Sequence, residues 1–183
     1  MGAALDPAAV MIRPGRDADM AAVTAIYGHH VRHGTASFET DPPSQGEMAR
    51  RRADILARGL PYLVAEAQGR ILAYAYAAPY RSRAAYRDTL EDLIYAHPDA
   101  MGHGVGRCLL PALIAACEAQ DYRQMIAVVG DSGNLASIRL HERCGFRRAG
   151  TLEAVGFKLG RWLDSVFLQR RLGLGDTAPP PAR

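Results

Sequence analysis

The sequence predicts an α/β domain, a mixed sheet with helices on both faces, and three observations carry that expectation. Apolar residues at helical spacing alternate with short strand-like apolar runs in the order β-α-α-β-β-β-α-β-α-β-β. Turn residues punctuate them at Pro14-Gly15, Gly34, Gly59-Leu60-Pro61, Gln68-Gly69-Arg70, Pro79 and Gly145. The length of 183 residues, with 49% hydrophobic and 22% charged, suits one domain. A chain of that size buries roughly 70% of its unfolded surface.

Residues 1–9 read as a disordered leader of small residues. Val10 to Arg13 is the first short strand. Asp17 is positioned to cap the helix that follows, in which Met20, Val23, Ile26, Tyr27 and Val31 recur on one face before Gly34 ends it. His29 and His33 share a face near its end. Zinc could use that spacing, but with no further ligand cluster the preference of a helix C-terminus for His explains them better. A loop, TASFETDPP, carries the aromatic Phe38. Ser44 to Glu47 forms a capping box for a polar second helix, Gln45 to Arg58. Tyr62 to Ala67 and Ile71 to Ala78 form a hairpin. A further strand runs from Leu90, and an apolar helix from Val105 to Ala119 contains Pro111, which is expected to kink it. Met125 to Val129 is a buried strand and Asn134 to Arg143 a helix with Gly145 as its C-terminal cap. Phe146 to Val155 and Trp162 to Arg170 are the last strands. Residues 173–183 read as an untethered, disordered tail, which leaves 10–172 as the folded domain.

The composition narrows the function classes. A net charge of +3 is too small to argue for nucleic acid. Nearly all basic residues are Arg, Lys158 being the only lysine. Cys108, Cys117 and Cys144 form no C-x-x-C pair and read as buried free thiols. Neither a signal peptide nor a run of about 20 apolar residues is visible, so no membrane partner is expected and the setting is read as cytoplasmic.

The informative stretch is residues 90–106, LEDLIYAHPDAMGHGVG. An apolar strand bearing a carboxylate, Glu91, leads through His97-Pro98-Asp99 to Gly102, Gly104 and Gly106 and then directly into a helix. A strand that empties into a Gly-rich turn and a helix N-terminus is a phosphate cradle, because free backbone N–H groups and the helix dipole both point at the anion. The turn is neither a dinucleotide fingerprint nor a P-loop, since G-x-G-x-x-G and the Lys-Ser/Thr pair are both lacking.

Taken with the strands around it, this turn resembles the GNAT superfamily of N-acetyltransferases over roughly residues 10–172. The superfamily's Q/R-x-x-G-x-G/A signature falls on Met101, Gly102, His103, Gly104, Val105 and Gly106, with Met101 departing from the usual Gln or Arg. Asn134 to Ser137 followed by Gly145-Phe146 resembles a second signature. A narrower resemblance is to phosphinothricin and methionine sulfoximine acetyltransferases. It rests on TASFET, on YLVAE at 62–66, AYAY at 73–76 and TLED at 89–92, and most specifically on GFKLGRWLD at 156–164.

The resemblance implies a mixed, mostly antiparallel sheet of about seven strands flanked by four helices and splayed between strands 4 and 5. It implies acetyl-coenzyme A as co-substrate, no metal, a small amino-acid substrate and a homodimer. Coenzyme contacts would come from the 101–106 turn, from Asn134 and Ser137, and from the backbone of Ile94, Tyr95 and Ala96, whose amides are also oxyanion candidates.

Acetyl transfer needs a neutral amine, so a carboxylate near the acceptor has a task. Glu91 is the candidate general base, the alternative being a buried ion pair. His141 is either an acid or thiolate partner or a packed helix residue. Arg81 and Arg83 are placed to clamp acidic groups of the substrate or to serve as surface charges. Ser82 lies between them, with Tyr80, Tyr86 and Phe38 as walls and Lys158 as a contribution from a neighbouring subunit. Other readings are a protein N-terminus or polyamine as acceptor, and a non-catalytic coenzyme-binding module.

Overall fold

The computed structural model describes residues 10–181, and the expected leader lies outside them. One seven-stranded sheet carries the molecule, in the order β1-β2-β3-β4-β5-β7-β6. Its strands are β1 (Met11–Pro14), β2 (Tyr62–Ala67), β3 (Arg70–Pro79), β4 (Thr89–Ala96), β5 (Gln124–Gly130), β6 (Arg147–Lys158) and β7 (Arg161–Arg171). Every neighbouring pair is antiparallel except β4 and β5, which run parallel.

The helices are α1 (Met20–His33), α2 (Gln45–Ala57), α3 (Val105–Glu118) and α4 (Leu135–Arg143). In β3 the consecutive residues Leu72 to Ala75 are all buried. Successive side chains of a strand point to opposite faces, so both faces of the sheet are covered. The helices α1 and α2 pack together on β2–β4, while α3 lies over β1–β4 and α4 over β5–β7. The core runs through Val23, Ile26, Val64, Leu109, Leu113, Met125 and Leu168. Among the described residues no helix is long and apolar enough to cross a membrane.

The feature that positions the site is the parting of β4 from β5. Their pairing covers only Thr89 to Asp92 against Gln124 to Ala127. Beyond that β4 keeps its ladder to β3 as far as Ala96, while β5 follows β7 to Gly130. The expected splay between strands 4 and 5 is this gap, and it opens one residue past Glu91.

Some local details differ from the sequence reading. Asp17 does not cap α1. Residues Asp17–Asp19 form a 3-10 turn, Asp17 pairs with Arg52 at 2.6 Å, and Asp19 accepts from the Arg16 amide at 2.7 Å. Helix α3 runs through Pro111 as one element. Of the three free thiols only Cys117 is fully buried. Strand β6 continues to Lys158 rather than stopping at Val155, because a bulge at Ala154 (φ 52°) absorbs the irregularity and pairing resumes at Gly156. In the stretch expected as an untethered tail, Arg171 pairs with Asp176 and Arg123 donates to the Pro179 carbonyl at 3.1 Å.

Candidate active site

Two adjoining cavities open at the splay. The first, about 470 Å³, is lined by Glu91, Asp92, Leu93, Ile94 and Tyr95 of β4, by Ala127 to Gly130 of β5, and by Tyr27, Ala36 to Glu39, Asn134, Ser137, His141 and Ser165. The second, about 610 Å³, continues past Ile94, Tyr95 and Ala96 to Met101, Gly102, Gly104, Val105 and Gly106. Its other wall carries Asn134, Ser137, Arg139 and Arg143. The structure thus joins the strand carboxylate and the glycine turn in one continuous groove.

Glu91 is largely buried and has no ion-pair partner among the described residues, which removes the ion-pair alternative. Burial first, and the charge of Asp92 second, raise its pKa to about 7. A carboxylate in that range is poised to accept a proton near neutrality.

Asp92 and His141 form a buried pair that sequence reading missed. His141 Nε2 lies 3.0 Å from Asp92 Oδ2, and Nδ1 lies 2.7 Å from the Ser137 carbonyl. A carbonyl and a carboxylate both accept, so both ring nitrogens carry protons. Burial lowers the His141 pKa, but the bond to Asp92 and its charge outweigh burial and leave it raised. The ring lines the cavity with both nitrogens already engaged. It also meets Phe146 edge-on at 5.2 Å. The other oxygen of Asp92, Oδ1, is buried and finds no partner among the described residues.

Strand alternation sorts the predicted oxyanion amides. The His97 amide bonds back to Leu72 of β3 at 2.7 Å, so odd-numbered residues of β4 face β3 and even-numbered ones face β5. Past Asp92 there is no β5 ladder. Ile94 and Ala96 therefore direct their amides into the gap, whereas the Tyr95 amide belongs to the β3 side. The Ala96 carbonyl, on the gap side, takes His30 Nε2 at 2.8 Å, which gives that histidine a structural task. Tyr95 itself lines both cavities with its ring packed edge-on to Tyr27 at 5.0 Å.

In the turn, Gly102 and Gly104 have φ of 80° and 85°, a conformation that costs an L-side chain roughly 1–2 kcal/mol. Gly106 has a different reason to be glycine: a β-carbon there would stand 2.8 Å from Leu140 Cδ2, where α3 crosses α4. The first amides of α3, at Val105 and Gly106, have no intrahelical acceptor and face the groove. His103 instead spends its amide on the Ala100 carbonyl at 3.3 Å, and Met101 is half exposed with its amide bonded to the His97 carbonyl. Arg107, Arg139 and Arg143 also line the groove, a positive wall that sequence reading did not anticipate. The i, i+4 spacing of Arg139 and Arg143 on one helix face was the available signal. Asn134 caps α4 by accepting from the Ser137 amide at 3.3 Å, which leaves its own NH₂ for a ligand.

The remaining predicted residues divide. Phe38 lines the first cavity. Arg81, Ser82, Arg83 and Tyr86 line a separate exposed depression, where Arg81 stacks on Tyr80 (5.1 Å) and Tyr86 (5.7 Å). Lys158 is buried within its own chain, its ammonium bonded to the carbonyls of Gly34 (2.9 Å) and Ser37 (2.5 Å). A side chain so engaged is not free to reach a neighbouring subunit's pocket, which corrects the role expected for it. Among the described residues no group of three or more His, Cys, Asp or Glu side chains could hold a metal.

Comparison with known proteins agrees with this geometry. The acetyltransferase (GNAT) family profile matches residues 26–146. The chain is 58% identical, over 98% of its length and 91% of the relative's, to a phosphinothricin N-acetyltransferase of Alcaligenes faecalis. It is 41% identical to an L-methionine sulfoximine/L-methionine sulfone acetyltransferase of Pseudomonas aeruginosa, covering 92% of this chain and 98% of that one. Among solved structures, a phosphinothricin acetyltransferase from Sinorhizobium meliloti in complex with acetyl-coenzyme A superposes with a TM-score of 0.92. That pair is 44% identical, and 94% of each chain is covered.

Proposed function

The chain belongs to the GNAT acetyltransferase family, and from that premise we propose that it acetylates the α-amino group of small amino-acid analogues such as phosphinothricin, methionine sulfoximine and methionine sulfone. The observation that carries this reading is Glu91, a carboxylate without an ion-pair partner among the described residues, lining the first cavity on the same strand as Ile94 and Tyr95, which line both.

The second cavity fits acetyl-coenzyme A. Its turn offers backbone N–H groups at a helix N-terminus, and Arg107, Arg139 and Arg143 supply positive charge for phosphates. The coenzyme, when bound, supplies an acetyl group activated as a thioester. Glu91 removes a proton from the acceptor ammonium in the first cavity. The freed amine nitrogen then bonds to the acetyl carbon, the carbon–sulfur bond breaks, and the proton that the nitrogen sheds in becoming an amide leaves with the coenzyme sulfur as free thiol. Amides of Ile94 and Ala96 face the position where negative charge develops on the acetyl oxygen. His141 is held in the same cavity by Asp92 and the Ser137 carbonyl; acting as an acid would require it to give up one of those two bonds.

Arg81 and Arg83, exposed on the connection that leads into β4, are proposed to meet the acidic groups of the substrate. The exposed cluster of Phe157, Leu159 and Trp162 at the β6–β7 turn supports a homodimer built on that hairpin. Free thiols at Cys108, Cys117 and Cys144 support a reducing, cytoplasmic setting.

The test is release of free coenzyme thiol with phosphinothricin, methionine sulfoximine, methionine sulfone and a panel of peptides. Turnover of the amino-acid analogues is expected. Turnover of the peptides alone would overturn the reading.

A further inference from the structure

The segment of the sequence that most specifically marks this chain, GFKLGRWLD, lies outside the chemistry described so far, yet two of its members, Gly156 and Lys158, converge on one place. Lys158 Nζ bonds to three carbonyls, those of His30 (3.5 Å), Gly34 (2.9 Å) and Ser37 (2.5 Å). The first belongs to the last turn of α1 and the other two to the segment that follows it. A buried cation on the carbonyl end of a helix is favoured electrostatically, and here it also gathers the chain leaving that helix.

Two residues before Lys158, Gly156 supplies space. A β-carbon there would stand 2.5 Å from Phe38 Cε2, and one at Gly130 on β5 would stand 2.8 Å from Phe38 Cε1 and collide with the Thr35 carbonyl. The Phe38 ring thus lies across two glycines, one on β5 and one on β6, the strands on either side of β7. The far end of the same segment is tied independently: Glu39 accepts from Tyr27 (2.9 Å) and from Arg51 (2.6 Å). Residues 34–36 line the coenzyme groove and residues 36–39 the acceptor cavity. The segment is therefore a partition shared by both cavities.

We propose that Lys158 is a positioning residue for the acceptor half of the site: with Gly156 and Gly130 it clamps residues 34–39 onto the β6–β7 hairpin, and so sets where Phe38 holds the acceptor relative to Glu91. This rests on the acceptor cavity assigned above. The hairpin acts through the segment and touches neither reactant. Its contribution is geometric, because displacing a bound amine by about 1 Å from its line of attack can cost on the order of 100-fold in rate.

The experiment measures kcat, KM for phosphinothricin and KM for acetyl-coenzyme A, together with Tm, in Lys158→Met, Gly156→Ala, Phe38→Ala and the Gly156→Ala/Phe38→Ala double variant. Gly156→Ala, which acts through Phe38 on the acceptor cavity, is expected to lower kcat/KM for the acceptor by about tenfold or more with KM for acetyl-coenzyme A held within about twofold. Lys158→Met, which also frees Gly34 beside the coenzyme groove, is expected to lower kcat/KM for the acceptor by more than it raises KM for acetyl-coenzyme A. The double variant is expected to be no worse than Phe38→Ala alone, because the ring that the new β-carbon would strike is gone. Two outcomes overturn the proposal. One is equal losses for both substrates alongside a fall in Tm; the other is additive effects of Gly156→Ala and Phe38→Ala. Should Lys158→Met fail to fold, the Gly156–Phe38 cycle decides alone. Should the wild-type enzyme turn over a different amine, the acceptor reading fails while the clamp is tested unchanged with that amine.

Discussion

Poor solvation suits Glu91 to the base role proposed for it at neutral pH, and the same fact destabilises the fold. Burial and then the charge of Asp92 hold its pKa at about 7. It must be ionised to accept a proton, so kcat/KM for the acceptor is expected to rise with pH through an apparent value near 7. Glu91→Gln should abolish that limb and lower kcat by about 100-fold or more. The stability effect has the opposite pH sense. The folded protein holds this proton more tightly than the unfolded chain, so between 4.5 and about 7 the contribution of Glu91 to stability declines as pH rises. Glu91→Gln should therefore change little below pH 4.5 and stabilise the protein at pH 8 by on the order of 1–2 kcal/mol, which denaturant titrations at both pH values would read. That Glu91 lines a cavity was legible in the sequence because a carboxylate in a mostly apolar strand has few structural uses. Asp92 is not legible: its partner His141 is 49 positions away, and a second acid beside the first reads as an ordinary exposed strand residue.

Elements were more legible than their ends. Periodicity and turn residues located all seven strands and four helices, since local spacing determines them. The start of α1 and the end of β6 escaped because a 3-10 turn and a bulge depend on contacts from elsewhere, Arg13 on Asp19 in one case and Asp164 on the Ala154 amide in the other. Within the glycine turn, the three glycines look alike in the sequence and differ in the fold. Gly104→Ala puts a side chain at φ 85° and is expected to cost roughly 1 kcal/mol locally, raising KM for acetyl-coenzyme A about fivefold with little change in acceptor KM. Gly106→Val drives α3 off Leu140 of α4 and should instead lower Tm. Comparing the two variants by substrate titration and thermal melts separates a cradle from a packing contact.

For the whole molecule, the divergence of β4 from β5 is the organising fact, and no local pattern encodes it: it exists because β5 leaves with β7 while β4 stays with β3. The arginines of the 80–87 connection, proposed to meet the acidic groups of the substrate, line a depression of their own, since proximity in sequence to Glu91 does not fix the direction of an exposed loop. At the far edge, β6 is exposed along most of its length, and Trp162 (64% exposed) meets Phe157 at 5.3 Å. If that cluster joins two copies, Trp162→Glu should halve the mass seen by light scattering, whereas an unaltered mass would remove the hairpin from the interface. The same hairpin hides Lys158, the only lysine in the chain, behind three carbonyls. The folded surface therefore bears arginine in place of lysine throughout. A guanidinium stays protonated and is not acylated under the conditions in which a lysine ε-amine reacts. An enzyme that holds a reactive thioester within its own body offers that reagent no side-chain amine to consume: its charge is carried by groups inert to the product it makes.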